Sequence, residues 1–579
     1  MKTDEEGKYC RKKRRVARSR GFRGDGRTII AALPEPLMKK TTTFPVLLVL
    51  VAALAAVAYG CVAVNRGIEY DGFWHVFMAG QDRFRMFVRE TLGDAHPPLF
   101  YVLLRMAMRF GRSRLVYRAV SLASGVASIL LVGRIARDLG AERAVAGLAA
   151  FTFAFSIDTL TVANEIRSYM LAAAFALAAI DLLVRAVRIG ARAGLLPRLA
   201  AASVFAMLAL LSDYSAIFVL SAAVAVAAVA ASGDRALRAR ILEKGTAPKL
   251  VACAVAALVP AAVFFRLARQ RSFARPIGYL SRFYYSPHGI ESLPGFLLRT
   301  ARSEAALFLP FSGKRGIAIA AVAVVVGGSI LASRAGRRRR LAGFPALVLV
   351  VAAAEMTAGA IAGVYPFGGA LRQQFVLFPF AVLAAALGFQ GIASPLRSRG
   401  LRAAVIVIPA LGVAASFALR FGSLRQPTGE PIAESDAVFR KAFPDPPLVY
   451  ADQFSVIALF AGRDRWTWTA QDSLPGAPSA VVYRVSQRAS SFLLVRDRWR
   501  WNIDFGQTAF YELLRQCLAV SRSKTVTVFE SADRADPIGA DEASRIRERI
   551  RLGAMAAGLS AGRIDVLPRN VFFEVTTAP

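Results

Sequence analysis

Cysteine and histidine are scarce in this chain of 579 residues, with four of the first and three of the second. Cys10 lies in a basic tail, Cys61 and Cys253 lie inside apolar runs, and Cys517 stands by itself in the polar C-terminal stretch. No disulfide framework can form there within one chain. The histidines are His75, His96 and His288; the first two suggest a metal only weakly, because no tight ligand cluster surrounds them. Acidic residues are also short, 39 Asp and Glu against 74 Lys and Arg, which leaves a formal charge of +35. Long low-complexity tracts and repeats at solenoid periods are missing, and array architectures go with them.

Apolar surface is what the chain has in excess. Hydrophobic residues make up 55% of it and the mean hydropathy is +0.45, more than globular cores of this size can bury. Apolar runs of spanning length recur from Thr43 to Leu419, joined by short Arg-rich stretches. The expected fold class is a polytopic α-helical membrane protein of about eleven spans with a small C-terminal α/β domain. The spans are placed at about 44–64, 115–133, 144–162, 168–187, 199–212, 214–232, 249–267, 316–333, 342–363, 374–392 and 403–420.

The basic residues fall in blocks between these runs and form no aromatic-interleaved face, so they read as topology signals and not as a nucleic-acid surface. Residues 1–43, with Lys12, Lys13, Arg14 and Arg15, are too long for a cleaved signal peptide and read as a cytosolic tail before a retained anchor. Every second loop should then be basic. Arg134, Arg137 and Arg143, then Arg185 to Arg198, Arg235 to Lys244, Arg337 to Arg340 and Arg397 to Arg402 follow that rule, whereas the turns near Asn164, Asp213 and Gly368 are far less basic. The membrane domain is thus 44–420, with outward loops at 65–98 and 268–315; the second is an exception in being rich in Arg. Residues 421–579 alternate short β-type runs, such as Thr525 to Phe529, with helical stretches such as Ala540 to Ala556, and parity puts them outside.

Three polar clusters fall on that outward side. The first loop carries Glu69, Asp71, Trp74, His75, Asp94 and His96; a carboxylate just past a span can accept a proton from a hydroxyl, and Asp71 leads as such a base. Its alternative is an N-cap of the following helix, with Tyr70 and Trp74 in the interfacial aromatic belt. The second cluster is Asn164-Glu165-Ile166-Arg167-Ser168-Tyr169, where a Glu165–Arg167 ion pair is the simpler reading. The third is Tyr365-Pro366-Phe367-Gly368-Gly369 with Arg372, suited to a phosphate or else a tight turn whose arginine snorkels to headgroups. His96-Pro97-Pro98-Leu99 needs no function as a helix start.

Taken in order, Asp71, His96-Pro97-Pro98-Leu99, Phe110-Gly111, Arg118-Ala119-Val120-Ser121, Glu165-Ile166-Arg167-Ser168-Tyr169 and the late Tyr365-to-Arg372 segment resemble the GT-C superfamily of polyprenyl-phosphate-sugar-dependent glycosyltransferases. This class includes protein O-mannosyltransferases and lipid A aminoarabinose transferases. The resemblance implies transfer of a hexose or pentose from a polyprenyl-phosphate donor to a lipid, glycan or protein acceptor on the outer face. It assigns Asp71 as catalytic base, places Glu165, Arg167 and Tyr169 along the pocket and makes Arg372 a candidate for the carrier phosphate; Glu69, His75 and His96 of the first polar loop are further substrate-binding candidates. No cofactor is indicated and none of these roles demands a divalent metal. The family often has Asp-Glu after the first span, whereas Asp71 is followed here by Gly72. The rival readings are a lipid-linked sugar transporter or flippase, and a non-catalytic scaffold. Abundant Ala and Arg and compact loops lean toward a bacterial inner membrane.

Overall fold

The computed structural model describes residues 43–578 apart from 93, 95, 190–193, 234–237, 240, 242–245, 273–282, 287–291, 308–327, 329–340, 369–370, 427–434, 436, 440, 442–447, 462–466, 475–476, 488–489, 498–502, 522 and 532–537. The chain divides into two units, Met1–Pro45 and Val46–Pro579. The described residues of the first only begin a helix, and the second holds every other element.

The membrane region is built from α1 (Thr43–Asn65), α2 (Tyr70–Ala79), α3 (Phe84–Thr91), α4 (Leu99–Ala107), α5 (Arg114–Asp138), α6 (Arg143–Phe155), α7 (Ile157–Asn164), α8 (Tyr169–Ile189), α9 (Leu195–Ser212), α10 (Ala216–Ser232), α11 (Thr246–Ser272), α12 (Leu293–Leu307), α13 (Phe344–Ile361), the single turn α14 (Leu371–Gln374), α15 (Phe378–Ala393) and α16 (Arg399–Arg425). Among the described residues eight helices are long and apolar enough to cross a bilayer, and a bent pair makes up to nine. That pair, α6 and α7, turns by 52° at Ser156, whose side chain caps the second half by accepting from the Thr159 amide at 3.2 Å. The expected span at 214–232 is the shorter α10, and the one at 316–333 lies almost wholly outside the described residues, as does His288. This is a multi-pass membrane protein.

Several charged groups within the spans are paired. Asp181 meets Arg134 at 3.1 Å and Arg185 at 3.3 Å, and Asp138 meets Arg185 and Arg188 at 2.7 Å each, joining α5 to α8 at one end. Glu355 of α13 accepts from Ser221 of α10 at 2.5 Å.

The loop at 65–98 is itself helical. Arg105 of α4 donates to the carbonyls of Ala79, at 2.9 Å, and Gln81, which satisfies the C-terminal end of α2 with a cation. Beyond the membrane region, β1 (Leu448–Ala451), α17 (Gln453–Ala461), β2 (Thr467–Leu474), β3 (Ala477–Gln487), β4 (Ser490–Asp497), α18 (Thr508–Ser521), β5 (Thr525–Ser531), α19 (Ala540–Ala556), β6 (Leu559–Val566) and β7 (Asn570–Thr577) form a sheet in the order β2-β3-β4-β1-β5-β7-β6. Its β1 is parallel to β4 and β5 and the other pairs are antiparallel.

Side chains alternate along these strands and so give the sheet two apolar faces. Leu448, Tyr450, Val526, Val528, Val571 and Phe573 join the core with α18 and α19. Val449, Ala451, Tyr483, Leu494 and Phe572 join a second core with α17 and with Phe73, Trp74, Phe77, Phe87, Phe100 and Leu104 of α2 to α4. The first loop and the C-terminal sheet therefore share one interior. Within it Arg496 of β4 meets Glu90 of α3 at 2.6 Å, both side chains 1% exposed or less, and the guanidinium lies 5.8 Å and 5.3 Å from the rings of Trp74 and Phe77.

Candidate active site

The chain turns at both ends of the first loop's frame by fixed means. Arg118 of α5 is buried and donates to three carbonyls, Asn164 at 2.6 Å, Ala63 at 2.9 Å and Gly67 at 2.8 Å. One turn further along, Ser121 donates to the carbonyl of Arg167 at 3.1 Å. Two residues of one helix face thus hold the end of α1, the start of the first loop and the α7–α8 turn against one another. Their motif is a clamp on the site.

Asp71 stands in the first turn of α2, but it does not cap the helix: the N-cap position is Glu69. Its Oδ2 accepts instead from Arg167 and, at 2.9 Å, from Arg372 of α14, which stands 301 residues away in sequence. Arg372 therefore turns to a carboxylate where the snorkelling alternative placed it at headgroups, and Arg167 pairs with Asp71 where the local reading paired it with Glu165. Tyr169 fixes Arg167 further, with its hydroxyl accepting at 3.1 Å and its ring 5.7 Å from the guanidinium carbon.

A small pocket opens beside this cluster, lined among others by Arg66, Glu69, Asp71, Glu165 and Arg167. Glu69 is occupied by Arg66 at 2.8 Å. Glu165 is not: its Oε2 is buried without a hydrogen-bond partner among the described residues, and burial pushes the carboxyl up to about 7, Arg372 pulling the other way. Gly72 explains why no carboxylate follows Asp71 in sequence. A Cβ there would come within 2.8 Å of the Ile68 side chain, just before α2, and would touch Ile166 of the α7–α8 turn at 3.4 Å, an ordinary contact, so it is Ile68 that crowds a side chain at this position. The pocket's further carboxylate comes from that turn, as Glu165.

His75 and His96 stand in a neighbouring network and do not line the pocket. The His75 ring is buried between His96, Phe100 and Tyr101, and its Nδ1–H donates to the Asp71 carbonyl at 2.6 Å. Burial, with His96 adding to it, drops this imidazole to about 3, so it is neutral. His96 has its Nδ1 3.6 Å from Asp213 and its backbone amide 3.2 Å from Asp94. Burial draws His96 down, but the bond to Asp213 and the charge of Asp94 outweigh it and the net shift is upward. Burial raises Asp94 and Asp213; the neighbouring histidines and hydrogen bonds, from Tyr101 to Asp94 and from Ser215 to Asp213, leave both lowered. Ser168 also donates to Asp213, at 3.1 Å. Sequence reasoning misses Asp94, Tyr101 and Asp213 as site residues; a lone aspartate between two apolar helices is the available signal for Asp213.

No protein-family model matches the chain, and no curated protein matches it by sequence. Solved structures do. ArnT from Cupriavidus metallidurans in the apo state matches at a TM-score of 0.51 and 13% identity, over 91% of this chain and 97% of that one. The same protein bound to undecaprenyl phosphate matches at 0.50 and 13%, over 92% and 98%. At such identity the likeness is one of fold: this chain has the GT-C fold, from the membrane region through the C-terminal sheet.

Proposed function

We propose that the protein is a membrane glycosyltransferase that moves a sugar from a polyprenyl-phosphate carrier to an acceptor hydroxyl on the outer face of the membrane. The observation that carries this reading is the meeting of Asp71, Arg167 and Arg372, from three distant parts of the chain, beside one pocket. The bound undecaprenyl phosphate of the Cupriavidus metallidurans structure lends it support on the same fold.

Asp71 is the base. With Oδ2 held by Arg167, its other oxygen takes the acceptor proton as the acceptor oxygen attacks the anomeric carbon. The bond from that carbon to the phosphate oxygen breaks with inversion, and the charge that develops on the carrier phosphate is met by Arg372, whose planar fork suits two phosphate oxygens. Glu69 and Glu165 line the pocket, Tyr169 steadies Arg167 beside it, and His96, in the neighbouring network that raises its pKa, favours an anionic donor when protonated. The C-terminal sheet shares its core with α2 to α4, which supports its standing on the same, extracytoplasmic side and near the acceptor. A bacterial inner membrane is the setting we favour. A transporter would be expected to carry several polar residues deep within its spans and paired broken helices; Asp181 lies in an ion-pair group at one end of α5 and α8, and Glu355 is bonded to Ser221.

The test is release of sugar from a radiolabelled polyprenyl-phosphate donor by purified protein. Asp71→Asn should lower turnover by roughly 10²- to 10⁴-fold. Unchanged turnover removes Asp71 as the base, and a wild-type protein that releases no sugar but moves the lipid across vesicles is a transporter.

A further inference from the structure

We propose that Asp71 and the carrier phosphate compete for one cation, Arg372, so that donor binding releases the base. This rests on the transferase reading and adds to it a means of arming the site.

The two guanidinium groups on Asp71 are held very differently. Arg167 is buried, bonded to the Tyr169 hydroxyl at 3.1 Å and laid against that ring, and its own carbonyl is gripped by Ser121 at 3.1 Å. It is part of the frame. Arg372 is partly exposed and sits on the four-residue turn α14. Among the described residues its side chain bonds only to Asp71. Backbone anchors hold the turn around it: the Tyr365 hydroxyl donates to the Gln373 carbonyl at 2.5 Å and Ser303 donates to the Gly368 carbonyl at 2.9 Å. Gly368 has φ of 80°, and a Cβ there would come within 3.1 Å of Thr300. The described backbone on either side is anchored at Gly368 and Gln373, while among the described residues the Arg372 cation has one, exchangeable partner.

Charge gives the exchange its direction. Two guanidinium ions and one carboxylate leave the cluster one unit positive, and a carrier phosphodiester brings one unit negative. A phosphate presents two oxygens to the Arg372 fork, whereas Asp71 Oδ2 is already shared with Arg167. Once Arg372 moves to the phosphate, Asp71 keeps one cation instead of two and becomes the stronger base, with Arg167 still fixing its direction.

Transfer then proceeds with every atom placed. The acceptor proton passes to Asp71, the acceptor oxygen bonds to the anomeric carbon, and the electron pair of the broken bond goes to the phosphate oxygen. The departing polyprenyl monophosphate carries the added negative charge and retains Arg372. When it leaves, the proton passes to water and Arg372 returns to Asp71.

The experiment measures equilibrium binding of polyprenyl monophosphate, which carries no sugar, to purified protein in nanodiscs. Asp71→Asn should tighten binding roughly five- to tenfold. Arg372→Gln should weaken it, and the gain from Asp71→Asn should vanish in the Arg372→Gln background; Arg372→Lys, which keeps the charge without the fork, should fall between. An unchanged affinity for Asp71→Asn overturns the proposal, and so does a gain that persists undiminished without Arg372, since that is only the removal of a nearby negative charge. Failure of wild-type and Asp71→Asn protein alike to bind the lipid removes the polyprenyl-phosphate reading and the competition with it. Binding by the wild type without an effect of Asp71→Asn overturns the competition alone.

Discussion

Glu90 and Arg496 offer a measurable hold on how the C-terminal sheet is fixed to the first loop. Both are fully buried, 2.6 Å apart and 406 positions apart in sequence. Two nitrogens of Arg496 have no hydrogen-bond partner among the described residues, its guanidinium lying over Trp74 and Phe77 instead. Removing one partner leaves a charge in that interior, which typically costs about 3–5 kcal/mol, whereas replacing both with apolar groups of similar volume is often neutral or stabilising. Glu90→Leu and Arg496→Met should each lower the stability of the sheet–loop unit by that amount, and the two together should recover most of it. The assay is hydrogen exchange of β1, β4 and β5 in detergent or nanodiscs. Protection there should fall by roughly two to three and a half orders of magnitude in the single variants, at about 1.4 kcal/mol per decade, and return in the double variant. Single variants within a factor of about five of wild type, or losses that simply add in the double, refute the idea that this pair locks the two parts together.

Other outcomes follow from the site. Writing the missing acid back in as Gly72→Glu should destabilise the protein by about 1–3 kcal/mol and restore nothing, because the Cβ alone meets Ile68 at 2.8 Å; a thermal melt with turnover shows it. Arg118→Met should cost about 3 kcal/mol or more in thermal unfolding and reduce turnover together, since three carbonyls lose a charged donor. Glu165 has its folded pKa raised, so its contribution to stability is present below about 4.5 and is lost as pH rises toward about 7; the melting temperature of Glu165→Gln should lose that part of the wild-type slope. Asp213→Asn removes the partner that raises His96, so the pH at which donor binding declines should move lower, read from binding curves between about pH 5 and 8.

Much of the membrane architecture is legible in the sequence because apolar runs of spanning length and Arg-rich connections repeat with little interference. The broken α6–α7 pair is hidden, since the bend at Ser156 leaves hydropathy continuous and is signalled only by a serine that caps. Asp71, Glu165, Arg167 and Arg372 all stand out in the sequence and do come together at or beside the pocket, but their pairing cannot be read locally. A sequence shows neighbours such as Glu165 and Arg167, whereas the ion pairs formed are across 96 and 301 positions. Asp213 escapes because it reads as an ordinary turn residue, and Asp94, though visible in the first polar cluster, shows no role until His96 is placed between the two. The alternation in the C-terminal strands is visible; that one of its faces closes on α2 to α4 is not, as no local pattern records which apolar face meets which.

The most direct test of the account is a cryo-EM structure of the purified protein saturated with polyprenyl monophosphate. The phosphate is expected within hydrogen-bond distance of Arg372, beside the Arg167–Asp71 pair and on the membrane side that carries the C-terminal sheet. A lipid phosphate bound elsewhere, with Arg372 still on Asp71, would contradict it.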